Sequence, residues 1–371
     1  MARCKRNYDF DVLIVGAGIV GAWTAFFFAK YWRGSSICVL EQSKVGGGAS
    51  NESAGYDAVE SADPVQRALA CQSRRLYRDI SGAVPAATMQ KVITVWVVDE
   101  SEADTFATRF DDGGGGVKLT PIRRLDGFSV PPKSVLFTED ESGFAKPGDI
   151  CRALLAHLVA NHHNVSVHEG TRVIGVTGED AASFCRTSDG RKLRAKVTVL
   201  ATGAYSILES GARRGTHLAL RRKKVASLIV DRVPNSTAAA VVYQSAGCFF
   251  LPDVARQQWL FSYTLATWDV RWSRVASLTS EEKLAGLTLL RTFKPDFVRF
   301  AERSQVSFDL YSRDRRPRAI AISPNLWFVG GFSGGGFRWA PAFVDDFVRR
   351  LTEAGDCPRG GGAPCSANPI S

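Results

Sequence analysis

Gly16-Ala17-Gly18-Ile19-Val20-Gly21 has the glycine spacing of a phosphate-binding turn. In such a run Gly16 permits a sharp turn, Gly18 lets a pyrophosphate approach the backbone, and Gly21 lets a helix pack close to the strand before it. Both flanking elements are present. Val12 to Val15 is a short, mostly β-branched run suited to a strand buried on both faces, and Ala22 to Trp32 is helix-compatible. The free amides and partial positive charge of the helix N-terminus, at Ile19 and Val20, then face the phosphates. A second strand, Ser36 to Leu40, ends in Glu41, twenty residues after Gly21, where a carboxylate can accept from a ribose hydroxyl, and Gln42 follows it.

The same stretch has other readings. Eighteen uncharged residues run between Asp11 and Lys30, close to the length that spans a bilayer, and Arg3, Lys5 and Arg6 precede them as in a secretion signal. The glycine interruption and the acid at the ribose spacing favour a dinucleotide site, so no membrane span is expected.

At 371 residues, with 45% hydrophobic and 23% charged residues, the chain has the composition of a globular protein of two domains. Eight scattered cysteines form no close metal-binding pair and read as reduced thiols of a cytoplasmic protein, with no metal site. The net charge of +10 collects in clusters: Arg74, Arg75 and Arg78; Arg213 and Arg214 with Arg221 to Lys224; and Arg313, Arg315, Arg316 and Arg318. These lack interleaved stacking aromatics or a zinc-finger pattern, so solvated surface charge is expected and nucleic-acid binding is not.

Along the chain, the small-residue loop Gly46 to Gly55 precedes a helix over about 64–80. A strand follows at 91–100, then a helix from Ser101 capped by that serine, then a glycine loop at 111–116. A helix at 148–164 carries Leu154, Leu155 and Leu158 on one side; strands follow at 165–169, 172–177 and 196–205. Four consecutive strand candidates between Lys223 and Thr264, without intervening helices, predict an antiparallel sheet, with a helix at 279–293 after it. "NLWFVGGFSGGGFRWAPAFVDDFVRRL" repeats strand, glycine turn and helix, which returns the chain to the nucleotide domain, and the Gly/Pro-rich tail reads as disordered.

The glycine fingerprint with Glu41, the "GGASNESAG" loop, the "VLATGAY" turn and the closing "FVGGFSGGGFRWAP" occur in an order that resembles the FAD-dependent oxidoreductases of the D-amino-acid oxidase type. That group includes glycine oxidase, sarcosine oxidase and the D-amino-acid dehydrogenases, and the resemblance runs from about residue 9 to 350. It implies a mixed α/β fold, in which a Rossmann-like FAD-binding domain is interleaved with a mostly antiparallel substrate domain. The expected division is 1–88, 143–220 and 318–351 for FAD, 89–142 and 221–317 for substrate, and 352–371 as the tail.

The resemblance assigns Gly16, Gly18, Ile19, Val20 and Gly21 to the pyrophosphate, and Glu41 and Gln42 to the adenosine ribose. Gly48, Ala49 and Ser50 match the loop beside phosphates and flavin, and Val173 the backbone contact to adenine. Ala201, Thr202 and Gly203 match the second flavin-domain turn; Gly330, Gly331, Gly334, Gly335, Gly336 and Phe337 match the last turn under the isoalloxazine. Ordinary turns are the lesser alternative for any one of these later glycines.

The implied chemistry is hydride transfer from an amine-bearing carbon to FAD, giving an imine, with a small amine or amino acid as substrate and oxygen or another acceptor as electron sink. An amino-acid substrate needs a cation for its carboxylate. In the glycine oxidase pattern an Arg precedes "T-x-D-x-x-P", but "DLYSRDRRP" puts Asp309 there, which would repel a carboxylate and attract an amine. Arg338 matches the Lys that helps to bind the carboxylate in sarcosine oxidases, and it also fits a surface arginine at a helix start. Tyr56 and Tyr311 are candidates for a hydroxyl over the ring, or for core tyrosines. "VSFDLYSRD" lacks the cysteine that tethers flavin in sarcosine oxidases, which implies non-covalent FAD. No lysine lies between Lys224 and Lys283, which leaves a dehydrogenase open beside an oxidase and allows a specialised biosynthetic step. A basic flavoprotein that acts on tRNA or another acidic partner is the alternative reading.

Overall fold

A computed structural model describes residues 8–58, 60–110, 117–179, 181–205, 219–271 and 276–354. The strand Phe10–Val15 lies between two parallel neighbours, Ile37–Leu40 on one side and Lys192–Leu200 on the other. Val165–His168 extends this parallel sheet beyond Ile37–Leu40, and Leu326–Gly330 extends it beyond Lys192–Leu200. The alternation of side chains explains the buried, near-continuous apolar run. Val12 and Ile14 join one core cluster with the helices Ile19–Tyr31, Pro147–Asn161 and Gly336–Ala354. Leu13 and Val15 join another on the opposite face, with Leu200, Phe308, Leu310 and Phe328. The antiparallel strands Val173–Gly178 and Ser183–Thr187 lead into Lys192–Leu200, and Arg318–Ser323 pairs with Leu326–Gly330.

A second sheet has the order Arg303–Ser312, Leu220–Val230, Gln258–Tyr263, Cys248–Asp253, Ala240–Tyr243, Thr94–Asp99, Ser134–Glu139 and Thr120–Ile122. One face is covered by the helix Ser280–Phe293, whose Leu290 and Phe293 pack with Leu228, Tyr243, Phe250 and Phe261. That helix starts as its sequence dictates, with a capping box between Thr279 and Glu282. A small sheet of Tyr56–Asp57, Gly143–Phe144 and Gln90–Lys91 completes the strands.

The second sheet is mostly antiparallel, as expected, with one parallel pairing of Ala240–Tyr243 with Thr94–Asp99, segments distant in sequence. Other sequence expectations need correction. The expected helix after Ser101 is broken into a 3-10 turn, the short helix Ala103–Ala107 and another 3-10 turn. Its start is capped by Asp99, which accepts from the Ser101 amide at 2.9 Å, so Ser101 is not the cap. The strand foreseen at 196–205 ends at Leu200, and strands at 134–139, 183–187, 303–312 and 318–323 were not foreseen. The stretch from Asp11 to Lys30 divides into strand and helix, and no helix among the described residues is long and apolar enough to cross a membrane. The last helix continues to Ala354; the loop at 111–116, Arg213, Arg214 and the tail from 355 lie outside the described residues.

Candidate active site

Gly16 turns the chain out of the first strand at φ +104°, where a side chain is strained, and a Cβ there would strike the Ala201 carbonyl. A Cβ on Gly21 would overlap the Gly16 carbonyl oxygen, so the strand, the turn and the helix close on one another only with glycine at both places. Gly18 caps the helix without a side-chain hydrogen bond, and no acid lies in the first turn. The Ile19 amide donates to Ser50 Oγ (3.0 Å), which draws the Gly48-Ala49-Ser50 loop against this helix start beside Val20. Glu41 ends its strand with Oε2 accepting from the Ala17 amide and Oε1 from the Ser43 amide, each at 2.9 Å. Next to it, the buried Gln42 Oε1 has no hydrogen-bond partner. The Glu41 carbonyl accepts from the Thr171 amide (2.8 Å), which places buried Val173 at the edge of the same region.

The Ala201-Thr202-Gly203 turn meets the first turn through the Ala201 amide, which donates to the Val15 carbonyl at 2.9 Å. The last glycine segment, Gly330 to Gly336, is stitched to the strand Arg303–Ser312 by a bridge between Phe332 and Tyr311 and by the Ser333 amide donating to the Leu310 carbonyl (2.9 Å). Gly335 packs under the Trp339 ring and Gly336 stands near Ile19, so the last helix begins beside the start of the first. Tyr77 donates to the Phe337 carbonyl at 2.9 Å and fixes that junction. A helix start with a glycine N-cap and no acid in its first turn, a ribose-spaced acid and an orphaned amide oxygen beside it fit the pyrophosphate and ribose of FAD.

Asp309 and Tyr311 occupy alternate positions of Arg303–Ser312, opposite Phe308 and Leu310, which bury into a core cluster. This parity leaves Asp309 and Tyr311 on one face, partly buried. Burial pushes the Asp309 carboxyl up to about 6, although the nearby Lys223 ammonium pulls it down. Burial, with the Asp309 charge, also raises the Tyr311 phenol, while Arg315 and Arg338 oppose that rise. The Tyr311 hydroxyl reaches the glycine segment, 3.1 Å from where a Cβ on Gly334 would stand. Tyr56 stacks on Phe249 (5.4 Å) and shares a hydrogen bond with Thr94 Oγ1 (2.8 Å); burial raises its phenol, and Arg338 is among the charges acting on it. Arg338 Nη1 donates to the Ala58 carbonyl at 3.2 Å, just after the strand that carries Tyr56. Tyr311 thus reaches the last glycine segment from the strand face it shares with Asp309, and Arg338, just after that segment, ties back to the strand of Tyr56.

Sequence reasoning missed Lys223 and Trp268. Lys223 is the cross-strand partner of Asp309, its ammonium 5.4 Å from the Tyr311 ring and 5.0 Å from the Trp268 ring. Strand register rather than linear spacing brings it beside Asp309. Trp268 meets Tyr311 edge-on at 5.1 Å. The basic clusters are also not simply solvated charge. Arg74 pairs with buried Asp57, Lys224 with Glu282 (2.7 Å), and Arg316 with Asp63 (2.7 Å), while buried Arg222 donates to the carbonyls of Ala204 and Val270.

A parallel sheet with a glycine turn at the head of its first helix, joined to a second sheet bearing charged and aromatic side chains, defines a dinucleotide-dependent oxidoreductase. The chain belongs to the FAD dependent oxidoreductase (DAO) family, whose model matches residues 11–345, and FAD is its cofactor. It is similar to a glycine oxidase of Geobacillus kaustophilus (strain HTA426), 26% identical over 263 residues that cover 66% of this chain and 68% of the relative. Among solved structures it resembles L-proline dehydrogenase from P. horikoshii (TM-score 0.79, 18% identity, 92% and 94% of the two chains). It also resembles NikD, an unusual amino acid oxidase essential for nikkomycin biosynthesis (TM-score 0.77, 17% identity, 95% of each chain). These structural likenesses establish the shared fold.

Proposed function

We propose that this FAD-dependent oxidoreductase oxidises the C–N bond of an amine or amino acid, with the last glycine segment beside the reacting centre. The observation that carries this reading is that Tyr311, on the same strand face as Asp309, reaches that segment, while Arg338 leads from it to the strand of Tyr56, so that a carboxyl and a guanidinium flank it. The similarity to a protein named glycine oxidase supports an amino-acid substrate. When bound, FAD supplies the two-electron acceptor for the hydride leaving the amine-bearing carbon. Arg338 holds the substrate carboxylate. Asp309, poised near pH 6, takes the proton of the substrate ammonium and leaves the neutral amine whose lone pair drives C–N oxidation. Tyr56 and Tyr311 wall the site and limit water. The resulting imine is hydrolysed to a carbonyl compound and ammonia.

The first sheet with its helices forms the FAD domain in this reading (1–88, 143–220 and 318–351), and the second sheet the substrate domain (89–142 and 221–317). The strand Arg303–Ser312 contains no cysteine, which supports non-covalent FAD. Among the described residues Cys38, Cys151, Cys185 and Cys248 are buried free thiols, which suits a reducing cytoplasm. Asp309 in place of the family arginine favours a specialised biosynthetic substrate over simple glycine. The alternative of an enzyme acting on tRNA draws no support from the basic clusters, since Arg74, Arg222, Lys224 and Arg316 are engaged within the fold.

Anaerobic mixing of the FAD-loaded protein with a panel of amines and amino acids tests the reading. The expected result is bleaching of the flavin absorbance by at least one class of compound, and a panel without bleaching overturns it. Readmitting air or an artificial acceptor then identifies the electron sink.

A further inference from the structure

Lys223 and Lys224 are neighbours on one strand and meet different fates. Lys224 Nζ closes on Glu282 at 2.7 Å, a direct ion pair. Lys223 stands opposite Asp309 in the antiparallel register, where cross-strand Cβ atoms lie about 4.5–5.5 Å apart and a lysine readily reaches a carboxylate. Yet the pair does not close. The Lys223 ammonium lies instead 5.0 Å from the centre of the Trp268 ring and 5.4 Å from that of Tyr311. The two rings meet edge to face, 5.1 Å apart at 77°, so the ammonium and the two ring centres form a nearly equilateral triangle.

Trp268 is itself held in place. The Lys224 amide donates to the Thr267 carbonyl (3.0 Å) and the Asp269 amide to the Arg222 carbonyl (2.6 Å), which lays 267–269 along the start of the strand Leu220–Val230. Thr267 Oγ1 donates to Glu282 at 2.7 Å. On the indole, the Arg221 guanidinium stands 4.9 Å from the ring centre and is answered by Asp269 at 2.7 Å. Lys223 has no such acid, so the ring face is its partner.

Tryptophan presents the best aromatic face for an ammonium, and more so away from water, so the indole competes with the carboxylate for Lys223. We propose that Trp268 is a positioning residue: it holds the Lys223 ammonium on its ring and off Asp309, and so keeps that carboxylate basic enough to accept the substrate proton. A closed ion pair would make Asp309 a much weaker base. The other charged or titratable groups around Asp309 are Tyr311 on its own strand, Arg315 in the turn that follows, Arg338 at the head of the last helix, and Glu52 on the short helix Ala49–Glu52 packed against the strand. Of the charges, that of Lys223 pulls the Asp309 carboxyl down, against the rise that burial causes. The functional half of this proposal rests on the amine-oxidation reading, whereas the placement of the ammonium does not.

The test follows Asp309 itself, in the FAD-loaded protein without substrate, by carbon NMR of aspartate labelled at the side-chain carboxyl; the signal lost in Asp309→Asn is its own. Trp268→Ala should lower the Asp309 titration midpoint by about one pH unit or more, as Lys223 closes on the carboxylate. Trp268→Phe keeps a ring face and should lower it no more than about half as far. If Trp268→Ala does not fold, Trp268→Leu fills the volume without a face for the cation and is read in the same way. Admitting water would also lower the midpoint, so the exchange is repeated in Lys223→Gln, where it should move the midpoint by less than about 0.3 units. Equal shifts with and without Lys223, or no shift with it, overturn the proposal. The acidic limb of anaerobic flavin reduction, by whichever amine or amino acid bleaches the flavin, should move with the NMR midpoint. A moved midpoint with an unmoved limb sinks Asp309 as proton acceptor and leaves the ammonium where it is placed here, whereas a limb that moves while the midpoint stays sinks the role of Trp268 alone.

Discussion

Lys223 and Asp309 face each other directly across an antiparallel ladder, yet their side chains form no close ion pair. Burial holds the carboxyl's pKa up, although the nearby ammonium pulls it down. Four expectations follow from this arrangement and the glycine turns that flank it.

The pH dependence of turnover should carry an acidic limb near pH 6, set by Asp309 as acceptor of the substrate proton. Asp309→Asn should abolish that limb and lower kcat/KM about 100-fold. The folded pKa lies above the unfolded value, so the stabilising contribution of the protonated carboxyl is full below about pH 4 and is lost as pH rises through 6. Denaturant unfolding of the variant minus wild type should therefore shift towards the variant between pH 4 and 7, by about 1–2 kcal/mol. A flat difference would remove Asp309 from this role.

Arg338→Gln should weaken carboxylate ligands about 10- to 100-fold, as expected from the loss of about 1.5–3 kcal/mol of charge-assisted hydrogen bonding. FAD content should be retained, because Arg338 lies beyond the glycine segment and hydrogen-bonds to Ala58. Ligand titration beside the ratio of flavin to protein absorbance checks both halves; unchanged ligand affinity excludes Arg338 from the site.

At the nucleotide end, Gly21→Ala should destabilise the fold by about 1–3 kcal/mol and release FAD, since a Cβ there collides with the Gly16 backbone. Gly48→Ala, whose Cβ would meet no protein atom, should change the melting temperature of the FAD-free protein by no more than a degree or two. Thermal melts with and without added FAD compare the pair, and equal behaviour would contradict the packing described.

The buried pair of Arg74 and Asp57 anchors the strand that carries Tyr56. Arg74→Met should cost about 3–5 kcal/mol by leaving the Asp57 carboxylate uncompensated. The double variant Arg74→Met with Asp57→Leu should recover much of that loss in urea unfolding, and a purely additive result would show that the pair is not coupled.

The nucleotide end was legible in the sequence because its chemistry is local. A strand, a glycine turn and a helix follow one another within about two dozen residues, and Glu41 is placed by one further strand. The helix from Thr279 and the inward side of Leu154, Leu155 and Leu158 were legible for the same reason: helical patterning acts over a few residues. The resemblance carried this further, to the paired glycine turns at Ala201 and Gly330.

The substrate end was decided by tertiary structure. Lys223 and Asp309 are 86 residues apart and meet through register alone, and Trp268 reaches Tyr311 from a third segment. The fates of the arginines were equally hidden: composition counts Arg74, Arg222 and Arg315 alike, whereas the fold pairs the first, buries the second and leaves the third without an ion pair. Side-chain type and spacing determine which elements form and where a phosphate can sit. Which charges remain unanswered depends on distances across sheets, and those exist only once the chain has closed on itself.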